Sequence, residues 1–192
     1  MSIMPSLSSL IVFDLEYTAW ECSMAGRWLK PGEFKEVVQI GAVRLSGIDF
    51  TVLDEFEVLV RPRINPSLSA YFENLTGLTN RMLAERSVDF PEAYARFLAF
   101  AGNSPVSSFG RDDQVLEDNI RLYGLKGLAR LSRFEDLRPW FAEQGLDPRG
   151  LDSCDIGLRL GIRPAGRRHN ALDDCRTLAG VMARMAAPVA AE

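Results

Sequence analysis

The sequence predicts an α/β domain built on a mixed sheet. Three observations carry that prediction. Apolar runs of strand length fill the first sixty residues. Helical periodicity takes over after Ser67. A short apolar run followed by an amphipathic helix then recurs, so early antiparallel strands give way to βα units. The chain has 192 residues, 47% of them hydrophobic and 25% charged, which fits one globular domain with a core over about 9–187.

The elements follow in order. Ser9 to Glu16 (SLIVFDLE) is a continuous apolar run ending in acids, the pattern of a buried strand. Tyr17 to Phe34 contains Gly26, Pro31 and Gly32 and is expected to be a long loop. Glu36 to Leu45 and Phe50 to Val60 are two further strands, and the short link at Ser46-Gly47 suggests a hairpin. Pro62 and Pro66 end the pattern. LSAYFENL, RMLAERS and PEAYARFLAFAG, between Ser67 and Gly102, then form three helical pieces. Pro105 to Phe109 is a short strand, and Asp112 to Tyr123 is an amphipathic helix stopped by Gly124. Residues 125–165 carry weaker signals: a strand within FEDLRPW and a helix within LDSCDIGLRLG. Ala171 to Ala187 is a terminal helix, after which the tail PVAAE is expected to fray.

Composition bounds the function. A domain of this size buries roughly 70% of its unfolded surface and folds without a disulfide or structural metal. The net charge of −4 argues against a protein that coats long duplex DNA with a broad basic face, but not against an enzyme that grips a strand end. Cys22, Cys154 and Cys175 are odd in number, widely spaced and without a CxxC pair, as expected of reduced thiols in a cytoplasmic protein. Met1 to Leu10 lacks Lys and Arg, so no signal peptide is expected. No run approaches the ~20 apolar residues of a membrane span.

Three segments carry chemistry. Asp14 and Glu16 lie two apart on a strand and so share a face, with Leu15 opposite. Two acids at the end of a buried strand repel each other and resist desolvation, a penalty that a hard divalent cation would remove. Alternatively, the strand has simply surfaced and both acids are solvated. His169, the only histidine, follows Arg167 and Arg168 just before a helix start. A helix dipole disfavours positive charge there, so the cluster makes more sense beside an anion, either a phosphate or a nest of carboxylates. Helical phase puts Asp174 in the apolar stripe of Ala171, Leu172, Cys175, Leu178, Ala179, Met182 and Met185. Asp173 falls opposite with Thr177, Gly180 and Arg184, as a solvated first-turn acid. The same phase count places Asp112 on the face of Val115, Leu116, Ile120, Leu122 and Tyr123, with Asp113 at its margin. Asp112 could also be only a helix cap.

Four inward-facing acids and one histidine, in this order and spacing, resemble the DEDDh group of DnaQ-like 3′→5′ exonucleases. FDLE resembles the first motif of that family and Asp112 with Val115, Leu116 and Ile120 the second. His169 and Asp174, in H-x4-D spacing, resemble the third. LTGLT at Leu75 to Thr79 is a further match. DLEYTAWE and EVVQIGAV look closest to the branch of KapD-like proteins and RNA-trimming exonucleases. The likeness covers roughly Leu10 to Met185. Two features depart from the family: Arg111 stands where an aromatic residue is usual, which leaves Asp113 as an alternative to Asp112 for the second-motif acid, and the loop Ala19 to Lys30 has its own sequence.

The resemblance implies a ribonuclease H-like mixed five-stranded sheet flanked by helices, with residues 1–192 as a single exonuclease domain. It implies a hydrolase that removes nucleoside 5′-monophosphates from single-stranded RNA or DNA 3′ ends with two divalent cations, Mg²⁺ or Mn²⁺. Asp14 would bridge the ions, Glu16 and Asp174 would complete one shell, and Asp112 would help hold the other. His169 would be the general base, a role suited to an imidazole's ordinary pKa of ~6.5. Tyr17, Thr18 and Leu75 would contact the terminal nucleotide. Core packing is an equal reading for Leu75. Two alternatives stand beside this one: a non-catalytic nucleic-acid or partner-binding module of the same fold, and a hydrolase of short oligonucleotides.

Overall fold

The computed structural model describes residues 8–131 and 133–187, so the tail expected to fray lies outside the described residues. Strands β1 (Ser9–Tyr17), β2 (Val37–Ser46), β3 (Val52–Leu59), β4 (Val106–Ser108) and β5 (Phe134–Asp136) form one sheet in the order β3-β2-β1-β4-β5. β1 pairs antiparallel with β2, and β2 with β3, while β1–β4 and β4–β5 are parallel. The mixed sheet expected from hydrophobic patterning is therefore present. The hairpin joins β2 and β3.

Seven helices are described: α1 (Ala70–Thr76), α2 (Asn80–Arg86), α3 (Phe90–Ala101), α4 (Asp112–Leu122), α5 (Leu137–Glu143), α6 (Ser153–Arg159) and α7 (Ala171–Ala186). Alternation along β1 sorts them into two layers. Ile11, Phe13 and Leu15 pack with Phe97 of α3 and Leu116 of α4. Leu10 and Val12 face the other way, onto Phe141 of α5, Ile156 of α6 and Leu178 of α7. Asp14 and Glu16 continue this second face, so their direction follows from the strand's pleat. No described helix is long and apolar enough to cross a membrane.

The strand expected within FEDLRPW is β5, held to three residues because Asp136 accepts the Arg138 amide at 2.9 Å and starts α5 at Leu137. One element differs from the sequence expectation. On α4 the buried set is Val115, Leu116 and the polar Asn119, with Leu122 and Tyr123 only half-buried. Asn119 is buried because it bridges elements. Its Oδ1 accepts the Val37 amide at 3.0 Å, and its Nδ2 donates to Lys35 O at 2.7 Å. This ties α4 to the segment that leads into β2.

Candidate active site

The site opens where β1 outruns β4. Their parallel pairing spans only Ile11↔Val106 and Val12↔Ser107, so β1 from Asp14 onward keeps β2 on one side alone. Parallel strands gather ligand sites at their carboxyl ends. Here a cavity of about 680 Å³ is lined by Asp14, Glu16, Asp112, His169 and Asp174.

Each acid reaches the cavity by a separate device. Asp14 and Glu16 lie on the α7-facing side of β1. Asp112 is the first residue of α4, one turn past β4. Its carboxylate is not spent on capping, since the cap position is Arg111 and makes no side-chain cap bond. Asp113 points elsewhere, accepting Arg111 Nε and Nη2 at 2.8 Å each. Asp174 comes from the first turn of α7, which lies hard against β2 because residue 41 is glycine. A Cβ there would sit 2.3 Å from Leu172 N and 2.4 Å from Ala171 C. Gln39 Oε1 holds the same turn by accepting the Ala171 amide at 2.9 Å.

Glu16, His169 and Asp174 bring one ligand atom each within 4.8 Å of one another. The His169 amide donates to Asp174 Oδ2 at 3.1 Å, and the Cys154 thiol donates to Oδ1 at 3.2 Å. His169 itself has a positive φ of 60°, a left-handed conformation that costs a non-glycine residue roughly 1–2 kcal/mol. Its neighbours hold it there. Arg168 pairs with Asp152 and Asp155. The Arg167 amide donates to Asp173 Oδ2 at 2.9 Å, and Arg167 Nη2 donates to Asn74 O at 2.7 Å. The basic residues beside the histidine therefore face carboxylates and a helix C-terminus.

Burial and mutual repulsion dominate the electrostatics. Desolvation, then the charges of Asp112, Glu16 and Asp174, pushes Asp14 well above the usual carboxylate range. Desolvation, then Asp174 and Asp112, does the same to Glu16. Burial pushes Asp112 up to about 7, against a hydrogen bond with Ser108. Burial also raises Asp174, opposed by hydrogen bonds from Cys154 and Ser153. Among the described residues no Lys or Arg forms an ion pair with any of these four acids. Four desolvated carboxylates without a paired cationic side chain are a donor set suited to hard divalent cations.

Of the residues expected at the terminal nucleotide, Tyr17 and Leu75 line the cavity. Leu75 is half-buried there, while Phe72 and Leu78 on either side fill the core. Thr18 does not line the cavity. Its side chain is 2% exposed, and Oγ1 donates to Phe34 O at 2.5 Å and accepts the Glu36 amide at 3.0 Å. The irregular register between Glu16 and Tyr17 precedes this turn away from the cleft. Asp173 also departs from expectation. It is half-buried and accepts Arg176 Nη1 at 2.9 Å, while Thr177 beside it is buried because α6 packs on that flank of α7. Sequence reasoning did not place Trp28, Arg138 and Arg149 at the site, yet all three line the cavity. From sequence, an aromatic in a loop such as Trp28 can either stack on a base or fold onto the domain. The structure fixes it through its indole N–H, which donates to Thr18 O at 2.8 Å, and sets it 5.4 Å from the Tyr17 ring.

Known proteins resemble this chain in sequence and in fold. The chain is 27% identical over 188 residues to 3′-5′ exoribonuclease 1 of Mus musculus, and equally to that of Homo sapiens. Each alignment covers 92% of this chain and 52% of the relative, so the chain spans about half the length of these proteins. Among solved structures, the nuclease domain of 3′hExo, a DEDDh family member bound to rAMP, superposes with a TM-score of 0.77 at 23% identity. That match covers 93% of this chain and 91% of the other. A 3′-exonuclease described in 3′-end-specific recognition of a histone mRNA stem-loop gives a TM-score of 0.78 at 21% identity, covering 93% and 63%. The sheet and helices are thus the ribonuclease H-like fold. The exonuclease family model, RNase_T, matches residues 11–182, and the chain belongs to the exonuclease family.

Proposed function

We propose that this chain is a DEDDh-type, metal-dependent 3′→5′ exonuclease that removes nucleoside 5′-monophosphates from single-stranded RNA or DNA. The observation that carries the reading is the meeting of Glu16, His169 and Asp174 within 4.8 Å, on the cavity that also takes Asp14 and Asp112. The names of the mouse and human relatives support the polarity and favour RNA.

Asp14, Glu16, Asp112 and Asp174 would hold two divalent cations, Mg²⁺ or Mn²⁺. When bound, such ions stabilise charge developing on a phosphoryl group and lower the pKa of a nucleophilic water. The remaining work falls to the chain. His169 accepts the proton of the attacking water, and its left-handed backbone, braced by Arg168 and Asp174, fixes the imidazole at the cavity. Leu75 packs on the terminal base, and Tyr17 closes the wall beside it.

The test is incubation of the protein with 5′-labelled RNA and DNA strands in Mg²⁺, Mn²⁺ or EDTA. Stepwise shortening from the 3′ end, release of 5′-monophosphates and silence in EDTA are expected. Internal cuts, cleavage in EDTA or intact strands under every condition would overturn the reading.

A further inference from the structure

The cleft has two chemically different walls. On the β2–β3 side, Met24 and Trp28 of the loop after β1 and Tyr71 and Leu75 of α1 make it apolar. α1 belongs to this side because Phe72 packs with Val38 of β2 and Leu59 of β3. The other wall follows β5, at the opposite edge of the sheet, and presents Arg138 and Arg149.

These two arginines share one construction, an Asp-x-Arg turn used twice. Arg138 donates its amide to Asp136 Oδ1 at 2.9 Å and its Nη2 to Oδ2 at 2.5 Å, with Nε at 3.1 and 3.0 Å from the two oxygens. Arg149 repeats the pattern on Asp147, with its amide at 3.1 Å, Nη2 at 2.7 Å and Nε at 2.9 and 3.1 Å. A guanidinium has five N–H donors. The brace engages Nε and one edge of Nη2, so among the described residues Nη1 and the outer hydrogen of Nη2 have no partner on either arginine. Such exposed ion pairs hold little stability. What the brace does provide is a fixed fork, which suits a phosphate.

Both forks stand between two cavities. A second cavity of about 620 Å³, lined by Pro139, Ala142, Gly145 and the two bracing acids Asp136 and Asp147, shares Arg138, Pro148 and Arg149 with the catalytic cleft. The shared residues make the two cavities neighbours along one groove. We propose that Arg138 and Arg149 form a phosphate track for the substrate strand upstream of the scissile bond, leading from the cleft into this second cavity. Bases lie toward the apolar wall and phosphates toward the arginines. The proposal rests on the exonuclease reading and deepens it: the preferred substrate is a strand several nucleotides long, not a dinucleotide.

The test pairs binding with turnover. Binding of a 5′-fluorescein-labelled decauridylate is followed by anisotropy in Mg²⁺ against salt, in a His169→Ala background with and without Arg138→Ala/Arg149→Ala. Each phosphate contact on a single strand contributes about 0.7 to the slope of log K against log salt. Loss of two contacts should flatten the slope by about 1.4, a loss of roughly 25-fold in affinity at 0.1 M salt relative to 1 M. The Arg138→Lys/Arg149→Lys pair should restore most of the slope, with melting temperature unchanged throughout. In the active background, kcat/KM on the decamer should fall at least tenfold more than on a diuridylate. An unaltered salt slope, or equal losses on the two lengths, would overturn the track. A wild-type chain that binds the decamer with the expected slope but hydrolyses neither length would refute the exonuclease reading and leave the track standing.

Discussion

Gly41→Ala isolates the packing contact that brings Asp174 and His169 to β1. The backbone at 41 needs no left-handed φ, so the requirement is one of space. An alanine Cβ would meet Leu172 N at 2.3 Å and Ala171 C at 2.4 Å, and both are backbone atoms that cannot swing aside. Ordinary contact begins near 3.4 Å, so the first turn of α7 must retreat by about 1 Å. Overpacking of this kind costs about 1–3 kcal/mol. In a chain of this size each kcal/mol lowers the melting temperature by roughly 2–4 °C, giving a fall of about 2–12 °C. The retreat carries Asp174, two residues beyond Leu172, and His169, two residues before Ala171. A displacement near 1 Å at a reacting group costs on the order of 100-fold in rate. Circular-dichroism melts and initial rates on a 5′-labelled strand in Mg²⁺ measure both effects. A variant that melts within 1 °C of wild type and cleaves within twofold of it would refute the argument that this close approach seats the site.

Other outcomes follow from the same geometry. Asp174→Asn should lose about 100-fold or more in turnover, since even outer-shell changes at metal sites cost ~10–100-fold. Asp113→Asn, on the acid paired to Arg111, should stay within about twofold, and the reverse order in the labelled-strand assay would misplace the second acid. Asn119→Ala strands the Val37 amide and the Lys35 carbonyl in a buried setting, and should cost about 1–3 kcal/mol in urea unfolding. In EDTA, stability should fall as pH rises from 5 to 8. Raised carboxylates stabilise the fold while protonated, below their unfolded values near 4, and that contribution is lost as pH climbs through the raised values, about 7 for Asp112. Adding Mn²⁺ should offset the fall most at pH 8, where the acids are ionised. A melting temperature in EDTA that is flat or rising over this range would contradict the assignment.

How far the sequence reveals the site depends on which physical link sets each residue. The direction of Asp14 and Glu16 is a matter of strand pleat, and that of Asp112 and Asp174 one of helical phase. Both are local periods, and all four side chains are found on one cavity. Thr18 is set by the register between β1 and β2, which no local pattern reveals. Thr177 looked solvent-facing on a helical wheel, yet α6 covers it, so its burial is a tertiary fact. Asn119 reads as a polar break in an amphipathic stripe, and its reason appears only with its partners at 35 and 37. Arg138 and Arg149 sit in the segment with the weakest periodicity. They reach the cleft because β5 and α5 return the chain to it.

The central claim is that four acids from β1, α4 and α7 converge to bind divalent cations. Anomalous diffraction from a crystal grown with Mn²⁺ tests it directly. The account expects manganese peaks among the carboxylates of Asp14, Glu16, Asp112 and Asp174. A well-ordered map with no anomalous density among these carboxylates, or with manganese bound only elsewhere on the chain, would contradict it.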